Sequence, residues 1–172
     1  NVYSFNNTNL KTMYMKIKHL LKTFCLSAML VCGSIDTWGV SWDVVELSNL
    51  TSTDIFVIVD ITSSTAMSND NATSAAPSAV SVTLSEDKNQ ITSEVANNIK
   101  WNIGKDGNNY IFYPNGSSET WLYCINNNNG VRVGTNADKT FSPEASDDYV
   151  GFKHIGQTRY IGVYNNQDWR CY

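Results

Sequence analysis

The residues of this chain best suited to chemistry are its tyrosines and tryptophans with amide and carboxylate neighbours: Tyr110, Tyr113, Trp121, Tyr123, Tyr149, Tyr160, Tyr164 and Trp169. Flat rings with a polar edge stack on sugar faces, and nearby Asn, Asp and Gln fix hydroxyl groups by hydrogen bonds. Successive strand residues point to opposite sides, so about half of these rings belong to a core. The wet-side candidates are those beside polar loops, namely Trp121 near the Asn run 126–129, and Tyr164 near Asn165, Asn166 and Asp168. The candidate ligand-binding residues are therefore Trp121, Tyr123, Asn126, Asn128, Tyr164, Asn166, Asp168 and Trp169.

Catalytic chemistry has less to work with. General acid–base catalysis needs carboxylates at fixed separation with shifted pKa values, and the obvious acidic group, Glu144 with Asp147 and Asp148, reads as a solvated polar loop. No Asp-x-Asp-x-Asp-Gly loop points to calcium. His154 is the only histidine after residue 33, which leaves no His-rich zinc site, and no Gly-x-Ser-x-Gly, His-Glu-x-x-His or phosphate-loop pattern occurs. We expect no enzyme, no cofactor and no metal. Nucleic acid is also disfavoured, because Arg132, Lys139, Lys153, Arg159 and Arg170 are interspersed with acids rather than gathered into a basic stripe.

The elements that must position these residues begin after an export-type segment. From Met15, the basic residues Lys16, Lys18, His19 and Lys22 precede a mostly apolar run over 20–32, and Val31 and Gly33 stand three and one positions before a cleavage point. That is a secretory signal pattern, with residues 1–14 as an upstream leader carrying no fold information. The apolar run is shorter than the ~20 residues of a spanning helix, and no transmembrane segment is expected after signal removal. Cys32 raises lipid attachment as a minor alternative, with Val31 a poor fit before it. All sixteen acidic residues but only eight of the twelve Lys and Arg follow residue 33, so the exported part has a net charge of −8. Its two cysteines, Cys124 and Cys171, are free to pair in an oxidising compartment or to stay as buried thiols, and the sequence does not decide between these.

Residues 34–172 form one domain, expected to be incomplete at its C-terminus. Short apolar runs separated by Asn, Ser, Thr and Gly, without helical periodicity, make it all-β. The pattern predicts strands at 43–47, 55–60, 65–68, 80–84, 90–95, 100–103, 110–113, 121–125, 131–133, 140–141, 149–154, 159–164 and 168–172. The stretch YIFYPNGSSETWLYC, residues 110–124, reads as a hairpin about Asn115-Gly116, and YVGFKHIGQTRYIGVY, residues 149–164, repeats it 39 positions later. A looser first unit, with an insertion NDNATSAAPS over 69–78, makes three repeats. The expected architecture is a β-trefoil-like barrel with a truncated third repeat; the alternative is a β-sandwich or irregular barrel.

The strings IFVIVD, AMSN, IKWNI, YIFYPNG, TWLYC, NNNNGVRVGT and RYIGVYNNQDWRCY resemble a Trp/Tyr-rich module of secreted and cell-surface proteins of Bacteroidota. That resemblance implies export, a β-rich fold and occurrence beside other domains in longer proteins, and it brings no catalytic set. Gln167-Asp168-Trp169 more remotely resembles the Q-x-W pattern of ricin-type trefoil lectins, in which the tryptophan is chiefly a core element. Two functions are expected as alternatives. One is a secreted or surface binding module for an extracellular glycan or surface protein; the other is a structural accessory domain of a larger enzyme or adhesin, with no ligand of its own.

Overall fold

The computed structural model describes residues 12–17, 42–70, 75–125, 130–146, 149–156 and 159–172. Its β-strands are β1 (Thr12–Ile17), β2 (Trp42–Val44), β3 (Phe56–Asp60), β4 (Thr65–Met67), β5 (Ala79–Ser81), β6 (Gln90–Ile91) and β7 (Trp101–Asp106). They continue with β8 (Asn109–Pro114), β9 (Trp121–Cys124), β10 (Val131–Gly134), β11 (Phe141–Ser146), β12 (Tyr149–His154), β13 (Arg159–Tyr164) and β14 (Asp168–Cys171). Single 3-10 turns at Leu47–Asn49 and Asn97–Ile99 are the helical elements among the described residues. The all-β expectation therefore holds.

The continuous apolar run Phe56-Val57-Ile58-Val59 explains the centre of the fold. A strand with one wet face alternates apolar and polar residues, whereas one covered on both faces does not. All five residues of β3 are buried. Phe56 and Ile58 belong to one core, with Trp101, Phe112, Phe141, Phe152, Leu122 and Trp169. Val57 and Val59 belong to a second, with Trp42, Ile61, Ala66, Val82, Ile91 and Ile99. Each fully buried side chain of this size contributes roughly 1.5–3 kcal/mol. In the larger core the Phe112 ring lies 4.6 Å from Phe152, 5.6 Å from Phe141 and 6.1 Å from Phe56, centroid to centroid.

Twelve strands make one antiparallel sheet, ordered β14-β13-β12-β11-β8-β7-β3-β1-β2-β6, with β4 and β5 joined to β3 beside this path; β9 and β10 form a separate pair. The path does not close on itself among the described residues, so the barrel is replaced by an open sheet. The three repeats of the trefoil expectation find no counterpart in the pairing. Trp121 lies in the two-stranded sheet and Tyr160 in the large one, although the 39-residue spacing makes them equivalent.

The reason lies at β8. Asp106-Gly107 turns β7 into β8, with Gly107 at φ +62, and the two strands pair from Asp106↔Asn109 to Trp101↔Pro114. The other edge of β8 receives β11 at Phe141↔Tyr110. Both edges of β8 thus have partners, and the expected 110–124 hairpin does not form. At Asn115-Gly116 a tight turn instead leads out of the large sheet, closed by the Ser117 N–H on the Pro114 carbonyl at 2.9 Å with Gly116 at φ +82. The second expected hairpin is present as β12–β13, paired at Lys153↔Tyr160 and His154↔Arg159. Glu144, expected in a loop, lies in β11 opposite Gly151.

Two further features concern the chain's covalent and N-terminal organisation. Cys124 and Cys171 are joined as a disulfide across 47 positions, with Cα atoms 6.4 Å apart, which ties the small sheet to β14. The N-terminal stretch given no part in the fold contains β1, which pairs with β3 over five positions and with β2 over three. Residues 18–41, which hold the apolar run, Cys32 and the expected cleavage position, lie outside the described residues.

Candidate functional site

The β13–β14 hairpin separates the aromatic residues into a dry side and a wet side by simple alternation. Its ladder pairs Ile161↔Cys171, Gly162↔Arg170, Val163↔Trp169 and Tyr164↔Asp168. Two backbone hydrogen bonds between Tyr160 and Tyr172, at 2.5 and 2.8 Å, continue it. Directly opposed residues share a face. Ile161, Val163, Trp169 and Cys171 therefore form the core side, and Tyr160, Gly162, Tyr164, Asp168, Arg170 and Tyr172 form the outer side.

At the hairpin tip, Asn165 and Asn166 both adopt left-handed backbone, at φ +47 and +56, and the Gln167 N–H closes the turn on the Tyr164 carbonyl at 2.9 Å. Asparagine tolerates that region better than most residues. Below the tip, Arg170 Nε donates to Asp168 Oδ1 at 2.7 Å and its Nη2 donates to Oδ2 at 3.2 Å, a two-point ion pair. The guanidinium carbon sits 4.0 Å from the centre of the Tyr164 ring, and the Tyr172 ring is 6.4 Å from Tyr164. Tyr164 and Tyr172 each keep 38% of their surface, placing them among the few large apolar residues left open to solvent.

The same face continues across β12 onto β11. Lys153 is opposite Tyr160, and Glu144 is opposite Gly151. Tyr160 donates its hydroxyl proton to Glu144 Oε2, while Lys153 Nζ donates to Glu144 Oε1 at 3.0 Å and lies 5.7 Å from the Tyr160 ring centre. The Tyr160 ring lies over Gly151, where an added Cβ would meet its Cδ1 at 3.6 Å, an ordinary van der Waals contact. The Tyr160 hydroxyl, followed by the lysine, holds the Glu144 carboxyl below its ordinary range. Conversely, the hydrogen bond to Glu144 raises the titration of both Tyr160 and Lys153. At neutral pH the trio therefore presents a carboxylate, an ammonium and a phenol, fixed by one another on an exposed sheet face.

Trp121 makes a separate cluster. Its indole N–H donates to the Asn136 carbonyl at 2.5 Å, Lys139 Nζ lies 3.6 Å above its ring, and the Tyr113 ring meets it edge-on at 6.3 Å. Tyr113 in turn lies over Gly104, where a Cβ would come within 2.8 Å of its Cε2. One face of the Trp121 ring is thus already covered by an ammonium group. Tyr123 is buried in β9, and Asn126 and Asn128 lie outside the described residues. Trp169 is wholly buried on the dry side of its hairpin, and its indole N–H has no hydrogen-bond partner among the described residues. The ring is core, so it cannot stack on a ligand at the outer face.

Of the expected residues, the outer face brings together Tyr164, Asn166 and Asp168. It adds Glu144, Lys153, Tyr160, Arg170 and Tyr172, which sequence reasoning did not select for a site. The signal for three of the additions, Tyr160, Arg170 and Tyr172, lay in the period-two pattern: Tyr160-x-Gly162-x-Tyr164 and Asp168-x-Arg170-x-Tyr172 alternate with apolar residues. Glu144 carried no such signal, because its strand begins in a Ser-Pro-Glu stretch. Among the described residues no group of three or more His, Cys, Asp or Glu is placed to hold a metal ion, and no helix is long and apolar enough to cross a membrane.

No protein-family description, curated protein or solved structure matches this chain.

Proposed function

We propose that this chain is a secreted or cell-surface binding module that holds a glycan on the outer face of β11–β14. The observation that carries the reading is the run of Tyr160, Tyr164 and Tyr172 on one face, interleaved with the Glu144–Lys153 and Asp168–Arg170 ion pairs. Rings supply stacking surface, and charged groups already held in place supply directed donors and acceptors without first being ordered. The Cys124–Cys171 disulfide supports export, because such bonds persist in oxidising compartments.

The test is a glycan array probed with the full chain produced in an oxidising secretory host, alongside Tyr164→Ala. Tyr164→Ala that keeps its circular dichroism spectrum but loses binding by about tenfold or more is the expected result. A folded, disulfide-bonded protein that binds no glycan on the array overturns the reading and leaves the ligand-free accessory domain in its place.

A further inference from the structure

The outer face of β11–β14 carries its charges in closed pairs. Lys153 Nζ is 3.0 Å from Glu144 Oε1, and the other oxygen of that carboxylate accepts the Tyr160 hydroxyl. Arg170 reaches Asp168 through two nitrogens, Nε at 2.7 Å and Nη2 at 3.2 Å. Arg159, the remaining cation of these strands, pairs with the buried His154 and so lies on the opposite side of the sheet from Tyr160, where its Nη2 donates to the Ile125 carbonyl at 2.8 Å. Among the described residues of this face, every cation therefore has a carboxylate in contact, and the charges cancel.

That arrangement discriminates among sugars by charge. Arginine recognises an anion through its fork of parallel N–H bonds and a ring through its flat face. In Arg170 both are engaged: the fork is on Asp168, and the guanidinium carbon is 4.0 Å from the centre of the Tyr164 ring. A uronate or sulfate would have to take Arg170 away from Asp168 and then lie beside the carboxylate it displaced, and like charges brought together oppose association. Lys153 sets the same obstacle through Glu144. The net charge of the chain, −4, repels anions further. An uncharged sugar disturbs neither pair. Each carboxylate oxygen has a second lone pair for a sugar hydroxyl, the ammonium and guanidinium groups have more N–H bonds than the pairs use, and the tyrosine rings supply the stacking surface.

We infer that the outer face of β11–β14 selects uncharged glycans and rejects uronic-acid and sulfated ones, with the Glu144–Lys153 and Asp168–Arg170 pairs as the filter. This rests on the glycan-binding reading and adds to it the charge class of the sugar. An uncharged ligand meeting a face of cancelled charge has no long-range attraction for salt to screen, so its affinity should not depend on ionic strength.

The experiment uses the full chain from an oxidising secretory host on an array with two sets of probes. The uncharged set holds gluco-, manno-, xylo-, galacto- and N-acetylglucosamine oligosaccharides; the acidic set holds oligogalacturonates, alginate and heparin-derived oligosaccharides. The tightest binder of each set is then titrated by calorimetry. The best uncharged ligand should bind about tenfold or more tighter than the best acidic one, and its Kd should change less than about twofold when salt is raised from low to high. Asp168→Asn keeps the shape but frees the guanidinium, and Glu144→Gln does the same for Lys153. Each should gain about fivefold or more in affinity for acidic probes, a gain that high salt removes. Circular dichroism and melting temperature establish that each variant is folded. Acidic probes bound as tightly as uncharged ones by the unaltered protein overturn the charge class and leave glycan binding standing. Two folded variants that reject acidic probes as the unaltered protein does overturn the ion pairs as the filter. A folded, disulfide-bonded protein that binds neither set overturns the glycan reading and this inference with it.

Discussion

His154 and Tyr160 sit near one another along the β12–β13 hairpin, yet their surroundings push them to opposite uses. His154 is buried, its Nε2 is 3.0 Å from the Asp138 carbonyl, and its Nδ1 has no partner among the described residues. A carbonyl can only accept, so Nε2 carries a proton and donates it to Asp138. Burial, opposed by the Asp138 contacts and aided by the positive charge of Arg159, lowers its pKa below 6.5. The unfolded chain therefore takes up the titrating proton first. The contribution to stability is complete above pH 6.5 and is lost as pH falls through the lower folded value. Denaturant midpoints measured from pH 7.5 to 5 should decline, and His154→Gln should flatten that decline even though it lowers the neutral-pH midpoint. Tyr160, by contrast, is held in the open by Glu144. Tyr160→Phe should let the Glu144 carboxyl titrate nearer its ordinary range, a change read by carbon-detected NMR titration, while leaving the fold intact.

The elements show which parts of the architecture a sequence can disclose. Alternation in Tyr160–Tyr164 and Asp168–Tyr172 is local, so the two strands could be read from the chain, whereas Trp169, expected among the ligand-binding residues, turns inward. The partnership of β8 could not. Tyr110–Tyr113 would suit pairing with Trp121–Cys124 as well as with β7, and the choice depends on β11 arriving from some thirty residues downstream to take the remaining edge. The disulfide was hidden for the same reason, since only the folded sheets bring Cys124 and Cys171 together. Closing a loop of 47 positions restricts the unfolded chain by about 4 kcal/mol in the entropic description. Paired Cys124→Ala and Cys171→Ala substitutions should therefore lower unfolding free energy by roughly 2–5 kcal/mol in urea titrations. Gly116→Ala isolates the corner between the sheets. Nothing stands within 4 Å of the added methyl, so the effect should be only the left-handed backbone penalty at φ +82, about 1–2 kcal/mol.

At the scale of the whole molecule, β3 is a wall shared by two cores. Trp101 reinforces it by donating its indole N–H to the Met67 carbonyl at 3.0 Å, which links β7 with β4, the two strands that share the edge of β3 away from β1. The single-sheet order and the two packed faces were beyond sequence reasoning, although the apolar run that makes them possible was plain. Ile58→Ala and Val57→Ala remove volume from different cores and should each cost about 2–4 kcal/mol, with Ile58 the larger loss because it deletes more buried hydrocarbon. Because each core leans on this one strand, two-probe unfolding, by tryptophan fluorescence and far-ultraviolet dichroism, should give coincident transitions. For descendants of this gene the shared wall is a constraint on drift. A strand with a wet side can exchange every second residue for a polar one at little consequence, but β3 has no such residues to offer. Natural variation should therefore collect on Asn165, Asn166 and the other exposed turns, and Phe56–Asp60 should read nearly the same in every surviving copy.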